Sequence, residues 1–357
     1  MLYEKFRHGI NLGGWLSQYE IITMSEEEEI CDAHFKSFIT QDDIKQIAQW
    51  GLDHVRVPVD GHLFWDRQAE CLKEKPMAYL DQCVSWCAKY GLNMIIDLHH
   101  IWGHVFGSMD KPVPLLTDEE LSGIFCSFWE KMAQHYLGRD GLVIMFELFN
   151  EVADATGYLW NRLYKRTIRK IRQTDASRWI LVGSNYINSV AYLDRLDLVE
   201  DPYVFYNFHF YEPNVFTHQR AHFSDEFTRY CHTLTYPGDM SAYQQFLQEN
   251  PEYIKEHPLV MGEKYNDRAL MEKLMENAKQ FLQYSGKELY CGEYGVIDTA
   301  PEEEAIKWLS DFIQLCNDSG IGRAMWNYKC LDFEVVDEKD ALVRPGVLQV
   351  LREGNRS

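Results

Sequence analysis

Short apolar runs alternate with amphipathic stretches along most of the chain. The runs are HGINLGG (8–14), HVRVPVD (54–60), NMIIDLHH (93–100), LVIMFELFNE (142–151), WILVGSN (179–185), YVFYNFHFY (203–211), ELYCGEYG (288–295) and GRAMWNYK (322–329). Several are almost continuously apolar, the pattern of strands buried on both faces. Between them, apolar residues at i, i+3 and i+4 predict helices over 41–50, 78–90, 118–136, 157–174, 189–196, 267–284 and 302–319. Asp118-Glu119-Glu120 and Pro301-Glu302-Glu303-Glu304 place acid where the dipole of a helix start favours it. Eight strand-and-helix units in one chain predict a closed parallel (β/α)8 barrel, a TIM barrel, rather than an open sheet.

Two segments break the alternation. Residues 25–40 carry the acidic run Glu26 to Glu29 and predict a loop with a short helix whose charges face water. Residues 213–264 are rich in aromatics, Pro and His and are too long for a simple connection after a strand. They predict a subdomain inserted after the sixth strand, within a single catalytic domain spanning 1–357.

Composition narrows the partners. The net charge of −20, with no basic cluster, argues against nucleic acid, whose phosphates need neutralising. No apolar run reaches the length of a membrane span. The opening MLYEKFRHGINLGG shows no signal peptide. The expected compartment is the cytoplasm, or the exterior if a signal peptide has been removed. The nine cysteines form no CxxC pair and read as ordinary buried thiols, with no metal or cofactor expected. Nothing in the sequence signals oligomerisation, so a monomer is expected.

Polar residues collect at the predicted strand ends, where barrel active sites lie. Strand two carries Arg56, strand three Asp97, His99 and His100, and strand four Asn150 and Glu151. Strand six carries His209 and Tyr211, strand seven Glu293, and strand eight Trp326. Two glutamates facing each other at ~5–5.5 Å across a barrel mouth suit retaining glycoside hydrolysis. Arg56 beside Glu293 would favour its carboxylate, while Glu151, drier and near a negative charge, would keep its proton. Asn150 is placed for a sugar 2-OH, and Trp326 offers a face for a pyranose ring. Glu147, four residues before Glu151, is expected deeper in the barrel within a hydrogen-bonded network. Trp15, Trp102 and Phe106 are further aromatics that could line a cleft. His99 and His100 lack the second pair of ligands that a metal site needs.

The set GINLGGW, HVRVP, DLHH, FELFNE, HFY, CGEYG and WNYK resembles glycoside hydrolase family 5 of clan A, in its clostridial endoglucanase C branch. The resemblance runs from about residue 8 to about 350. It implies Glu151 as acid/base and Glu293 as nucleophile, with Arg56 holding the nucleophile. It also implies supporting or sugar-binding roles for Asn150, His99, His209, Tyr211 and Trp326, and substrate contact for Asn11 and His100. The activity it implies is a retaining endo-β-1,4-glucanase acting on β-glucan, with mixed-linkage β-1,3-1,4-glucan as a further substrate. The alternatives are a β-mannanase, a xyloglucan-active relative or an exo-glucosidase using the same two glutamates. A carbohydrate-binding barrel or a metal-dependent hydrolase would be a different class altogether.

Overall fold

The computed structural model describes residues 1–357 except 26, 106–110, 140, 155, 255–258 and 355–357, and the side chain of Glu28. Phe106 therefore lies outside the described residues, as does part of the acidic run. The eight expected strands are present: β1 His8–Asn11, β2 His54–Asp60, β3 Asn93–His100, β4 Ile144–Glu147, β5 Trp179–Gly183, β6 Val204–Phe210, β7 Leu289–Tyr294 and β8 Gly322–Met325. Each pairs in parallel with its neighbours in sequence, and β8 pairs with β1, so the sheet closes into a barrel.

The outer helices are α1 Gln41–Gln49, α2 Glu74–Tyr90, α3 Glu119–His135, α4 Tyr158–Thr174, α5 Arg268–Ser285, α6 Glu302–Ser319 and α7 Pro345–Glu353. Local chemistry sets their ends. Thr40 and Asp43 form a capping box on α1, and Asp267 caps α5 by accepting from the Leu270 amide. Asp118 lies one residue ahead of α3, and its carboxylate accepts from the amides of Glu120 and Leu121. Gly91, Gly286 and Gly320 stop α2, α5 and α6 in the left-handed conformation.

Two elements differ from the sequence expectation. The segment after β5 is a six-residue 3-10 helix, Val190–Arg195, rather than an α-helix. The residues before it, Tyr186, Ile187 and Asn188, all sit at positive φ, so little chain remains for a regular helix. Helix α7 was not expected; it packs on α6 and buries Val347, Leu348 and Leu351. Six cysteines are buried, but Cys71 and Cys231 are exposed and Cys330 is half-buried, so the expectation of buried thiols holds only in part. None of the nine forms a disulfide.

Residues 213–264 contain the helices Asn214–Thr217, Asp225–Arg229 and Ser241–Glu249, and strand Gly238–Asp239 pairs with Tyr265–Asn266. Their apolar residues, among them Phe216, Tyr230, Tyr243 and Leu247, join the same hydrophobic core as the helices around the barrel. No helix among the described residues is long and apolar enough to cross a membrane.

The barrel interior changes character over one step of two residues. At its lower end Ile95, Met145, Leu181, Phe205, Tyr290 and Ala324 pack together with Leu2 and Phe6 of the N-terminal segment. Side chains two apart on a strand share a face. The next positions toward the C-terminal ends of β3, β4, β5 and β6 are Asp97, Glu147, Gly183 and Asn207. A dry apolar plug thus supports a charged layer.

Glycine is required where the plug closes. A Cβ on Gly322 would lie 1.9 Å from the Phe6 carbonyl oxygen, whereas a Cβ on Gly123, within α3, meets nothing within 4 Å. Gly322→Ala should therefore destabilise the fold by about 1–3 kcal/mol through overpacking. Gly123→Ala should stabilise it by roughly 0.5–1 kcal/mol through helix propensity. The denaturant midpoints of the two variants should move in opposite directions.

Candidate active site

Arg56, fully buried on β2, is the centre of the charged layer. Its Nε and Nη2 donate to the two oxygens of Glu147 at 2.7 and 2.9 Å. Nη1 donates to Glu293 Oε1 at 2.8 Å and to Asn11 Oδ1 at 2.9 Å. Nη2 also donates to Asn150 Oδ1 at 3.0 Å and lies 3.0 Å from Asp97 Oδ2. All five N–H donors of the guanidinium are engaged.

One cation faces three buried carboxylates, so not all three ionise easily. Burial raises Asp97 and Glu147 to about 7, against the opposing pull of Arg56. Glu147 sits in the hydrogen-bonded network below the mouth, and its Oε1 also accepts from Asn207 Nδ2 at 2.8 Å. Asn207 Oδ1 in turn accepts from the Gly292 amide at 2.7 Å. The register of β7 against β6 shifts between Cys291 and Glu293. Such an irregularity re-aims a side chain, and here it accompanies the turn of Glu293 into the mouth.

Glu151 follows the end of β4 in the left-handed conformation, φ 48°. Its Oε1 is 2.9 Å from His209 Nδ1, and the same nitrogen is 3.7 Å from Glu293 Oε2. One oxygen of each glutamate and a His209 nitrogen all lie within 4.8 Å of one another. The Tyr211 hydroxyl donates to Glu293 Oε2 at 3.0 Å.

Electrostatics separate the two glutamates. Burial raises Glu293 first; Arg56, His99 and the Tyr211 hydroxyl draw it back, leaving it above the ordinary carboxylate range. Burial raises Glu151 much further, and the charge of Glu293 adds to the rise. The shared proton therefore belongs on Glu151. Arg56 does favour the Glu293 carboxylate, but its charge is divided, so it does not bring Glu293 down to the ordinary range. His209 is held neutral, well below its usual value, by burial and then by Arg56 and His99.

The remaining expected residues fall into two groups. His99 Nδ1 is 2.8 Å from Asp97 Oδ2, and its ring stacks on Trp326 with centroids 5.7 Å apart and planes at 11°. Trp326 in turn lies over Gly13, where a Cβ would come within 2.6 Å of the indole. This explains Gly13, the second of the three glycines in the GINLGGW motif. His100 Nδ1 is 3.2 Å from Asp60 Oδ1; burial pulls its pKa down, but the hydrogen bond and charge of Asp60 prevail and raise it. Asn11 corrects the expectation of substrate contact. It is fully buried, and its Nδ2 donates to the carbonyls of Gly292, Ala324 and Met325. It braces Arg56 from below. Trp15 is also core, donating to the Phe35 carbonyl.

Above these residues opens a cavity of about 760 Å³. Glu151, Glu293, Asn150, His99, His100, His209, Tyr211 and Trp326 all line it. So do Tyr186 and Tyr192, stacked with centroids 4.5 Å apart, and His218, His222, Phe223 and Leu259 from 213–264. Sequence reasoning missed these wall residues, which come from irregular segments without a periodic signal. Trp102 packs instead against His62 and Arg67.

The family model described as cellulase (glycosyl hydrolase family 5) matches residues 19–330. The chain belongs to glycosyl hydrolase family 5. It is 37% identical over 347 residues to Endoglucanase C of Acetivibrio thermocellus, covering 97% of this chain and 98% of that protein. It is 33% identical to Cellodextrinase A of Ruminococcus flavefaciens, covering 88% and 83%. Among solved structures, endoglucanase Cel5A of Thermotoga maritima matches with a TM-score of 0.72 at 21% identity, covering 98% of this chain and 99% of that one. At that identity the match shows the shared barrel. The family member is thus a cellulase-type glycoside hydrolase with a closed (β/α)8 barrel.

The Tyr211 hydrogen bond favours ionised Glu293, so its loss raises the Glu293 pKa further. Tyr211→Phe should move the acidic limb of the kcat/KM profile on a soluble β-glucan to higher pH by about one unit. An unmoved limb would mean that the hydrogen bond does not favour the ionised form.

Proposed function

We propose that the chain is a retaining endo-β-1,4-glucanase that hydrolyses β-glucan by double displacement. The observation that carries this reading is the pairing of Glu151 with Glu293. Their oxygens approach within 4.8 Å across the barrel mouth, with the proton favoured on Glu151 and Arg56 and Tyr211 holding Glu293. A separation near 5 Å leaves no room for a water between carboxyl and sugar, and so favours a covalent intermediate. Glu293 attacks the anomeric carbon while Glu151 passes its proton to the departing glycosidic oxygen. Glu151 then takes a proton from the water that displaces Glu293. Asn150 faces the sugar 2-OH, Trp326 carries the ring, and His99, His209 and Tyr211 orient the reacting groups.

The substrate assignment follows the likeness to Endoglucanase C over nearly the whole length of both chains. Mixed-linkage β-1,3-1,4-glucan is a further substrate in this reading. Residues 213–264 form a subdomain of the single catalytic unit and supply one wall of the cleft through His218, His222, Phe223 and Leu259. The cavity of about 760 Å³ above the two glutamates supports a groove that accepts internal bonds of a chain. The likeness to a cellodextrinase favours short β-1,4-glucan oligomers as the second reading. The enzyme acts as a monomer and uses no metal.

Glu151→Ala and Glu293→Ala should each lower turnover of soluble β-glucan by on the order of 10²–10⁴. Proton NMR early in the reaction should show the β-anomer of the new reducing end, and a chelator should leave the rate unchanged. Full activity in either variant, or early appearance of the α-anomer, would contradict the mechanism. Strong activity on mannan with none on lichenan would contradict the substrate.

A further inference from the structure

The residue that fixes His209 comes from the irregular segment after β5. Gly183 ends that strand at the level of the charged layer, and a Cβ there would lie 2.4 Å from Asn188 Oδ1. The missing side chain leaves the space that Asn188 occupies. Tyr186, Ile187 and Asn188 follow at φ 59°, 59° and 51°, a left-handed turn that folds the chain back over the strand end. Backbone bonds hold this turn: the Ile187 amide donates to the Val152 carbonyl, and the Ser189 amide to those of Asn185 and Tyr186. Asn188 is fully buried, and its Nδ2 lies 3.1 Å from His209 Nε2. On the opposite edge of the ring, Nδ1 faces Glu151 Oε1.

We propose that Asn188 is a positioning residue for the acid/base, its side-chain amide holding His209 as the Nδ1–H tautomer. This inference rests on the reading of Glu151 as acid/base. A neutral imidazole has one N–H and one acceptor nitrogen. The Asn188 amide donates to Nε2, so Nε2 must be the acceptor and Nδ1 carries the hydrogen. Nδ1–H then donates to Glu151 Oε1, and the transferable proton is left on Oε2. In the first step Oε2–H gives this proton to the glycosidic oxygen as the C–O bond breaks. In the second, the glutamate recovers a proton from the attacking water. Nδ1–H stays in place through both, so Glu151 works as acid and base on one oxygen. The opposite tautomer would present a bare Nδ1 to Glu151 and draw the proton away from the substrate. Among the described residues, the charged and titratable groups facing His209 are Arg56, His99, Glu151 and Glu293, and none of them sets the Nε2 side.

The test compares two substrates. A dinitrophenyl β-cellobioside has a leaving group that needs no proton, whereas a soluble β-glucan needs one. Asn188→Ala should lower kcat/KM on the glucan by about 10- to 100-fold and leave the dinitrophenyl glycoside within about threefold when glycosylation limits both. The basic limb of the glucan pH profile should shift in the same variant. Asn188→Leu keeps the approximate shape but offers Nε2 no donor. It should show at least the loss of the alanine variant on glucan, with a melting temperature close to that of the parent. Glu151→Ala is the reference and should show the same split between substrates. Equal losses on both substrates for Asn188→Ala, or parent-like activity for Asn188→Leu, would overturn the inference while the Glu151 split stands. Absence of the split in Glu151→Ala would instead overturn the acid/base reading itself.

Discussion

The site depends on one buried guanidinium divided among more acid than it can neutralise. Arg56 meets Glu147, Glu293 and Asp97 and is braced by Asn11 and Asn150. Truncating Arg56 would leave three buried carboxyls without their cation and would cost about 3–5 kcal/mol. That cost makes the arrangement all-or-none and fixes the geometry of the mouth. The same division decides the ionisation. A guanidinium given wholly to Glu293 would make it an ordinary, weakly basic carboxylate. Shared, it leaves Glu293 ionisable but lifted, and leaves Glu151 with the proton.

The barrel supplies what this cluster requires. The apolar plug of Ile95, Met145, Leu181, Phe205 and Tyr290 excludes water from below, so the charges above act at short range with little screening. Small residues make room where large groups must approach: Gly13 under Trp326, Gly292 against Asn207 and His209, and Gly183 beside Asn188. Gly183 ends β5, Gly13 follows β1, and Gly292 lies at the register shift of β7.

Much of this was legible in the sequence, for a physical reason. The eight strands are buried on both faces, so their apolar runs stand out. The period of two then lines Arg56, Asp97, Glu147 and His209 on the inward face. Glu147 and Glu151 are separable in the sequence because Glu151, preceded by Asn150, closes the apolar run and Glu147 lies four residues deeper. Asn11 was misread because its partners are carbonyls of β7 and β8, which only barrel closure brings near it. Asn188 was invisible because Tyr186 and Ile187 are residues that seldom adopt the left-handed conformation they hold here. Periodicity predicts a helix over 189–196 but does not reveal that the preceding left-handed turn leaves only the 3-10 helix Val190–Arg195.

The chemistry of the mouth turns on the order in which two carboxyls lose their protons, and the carboxyl groups report that order directly. With ¹³C placed on the glutamate side-chain carboxyls, Glu151 and Glu293 can be assigned by the signals lost in Glu151→Gln and Glu293→Gln. Their shifts can then be followed against pH in the free enzyme. Glu293 should ionise first as pH rises, and Glu151 should keep its proton to distinctly higher pH. Ionisation of Glu151 before Glu293 would contradict the assignment of the shared proton to Glu151.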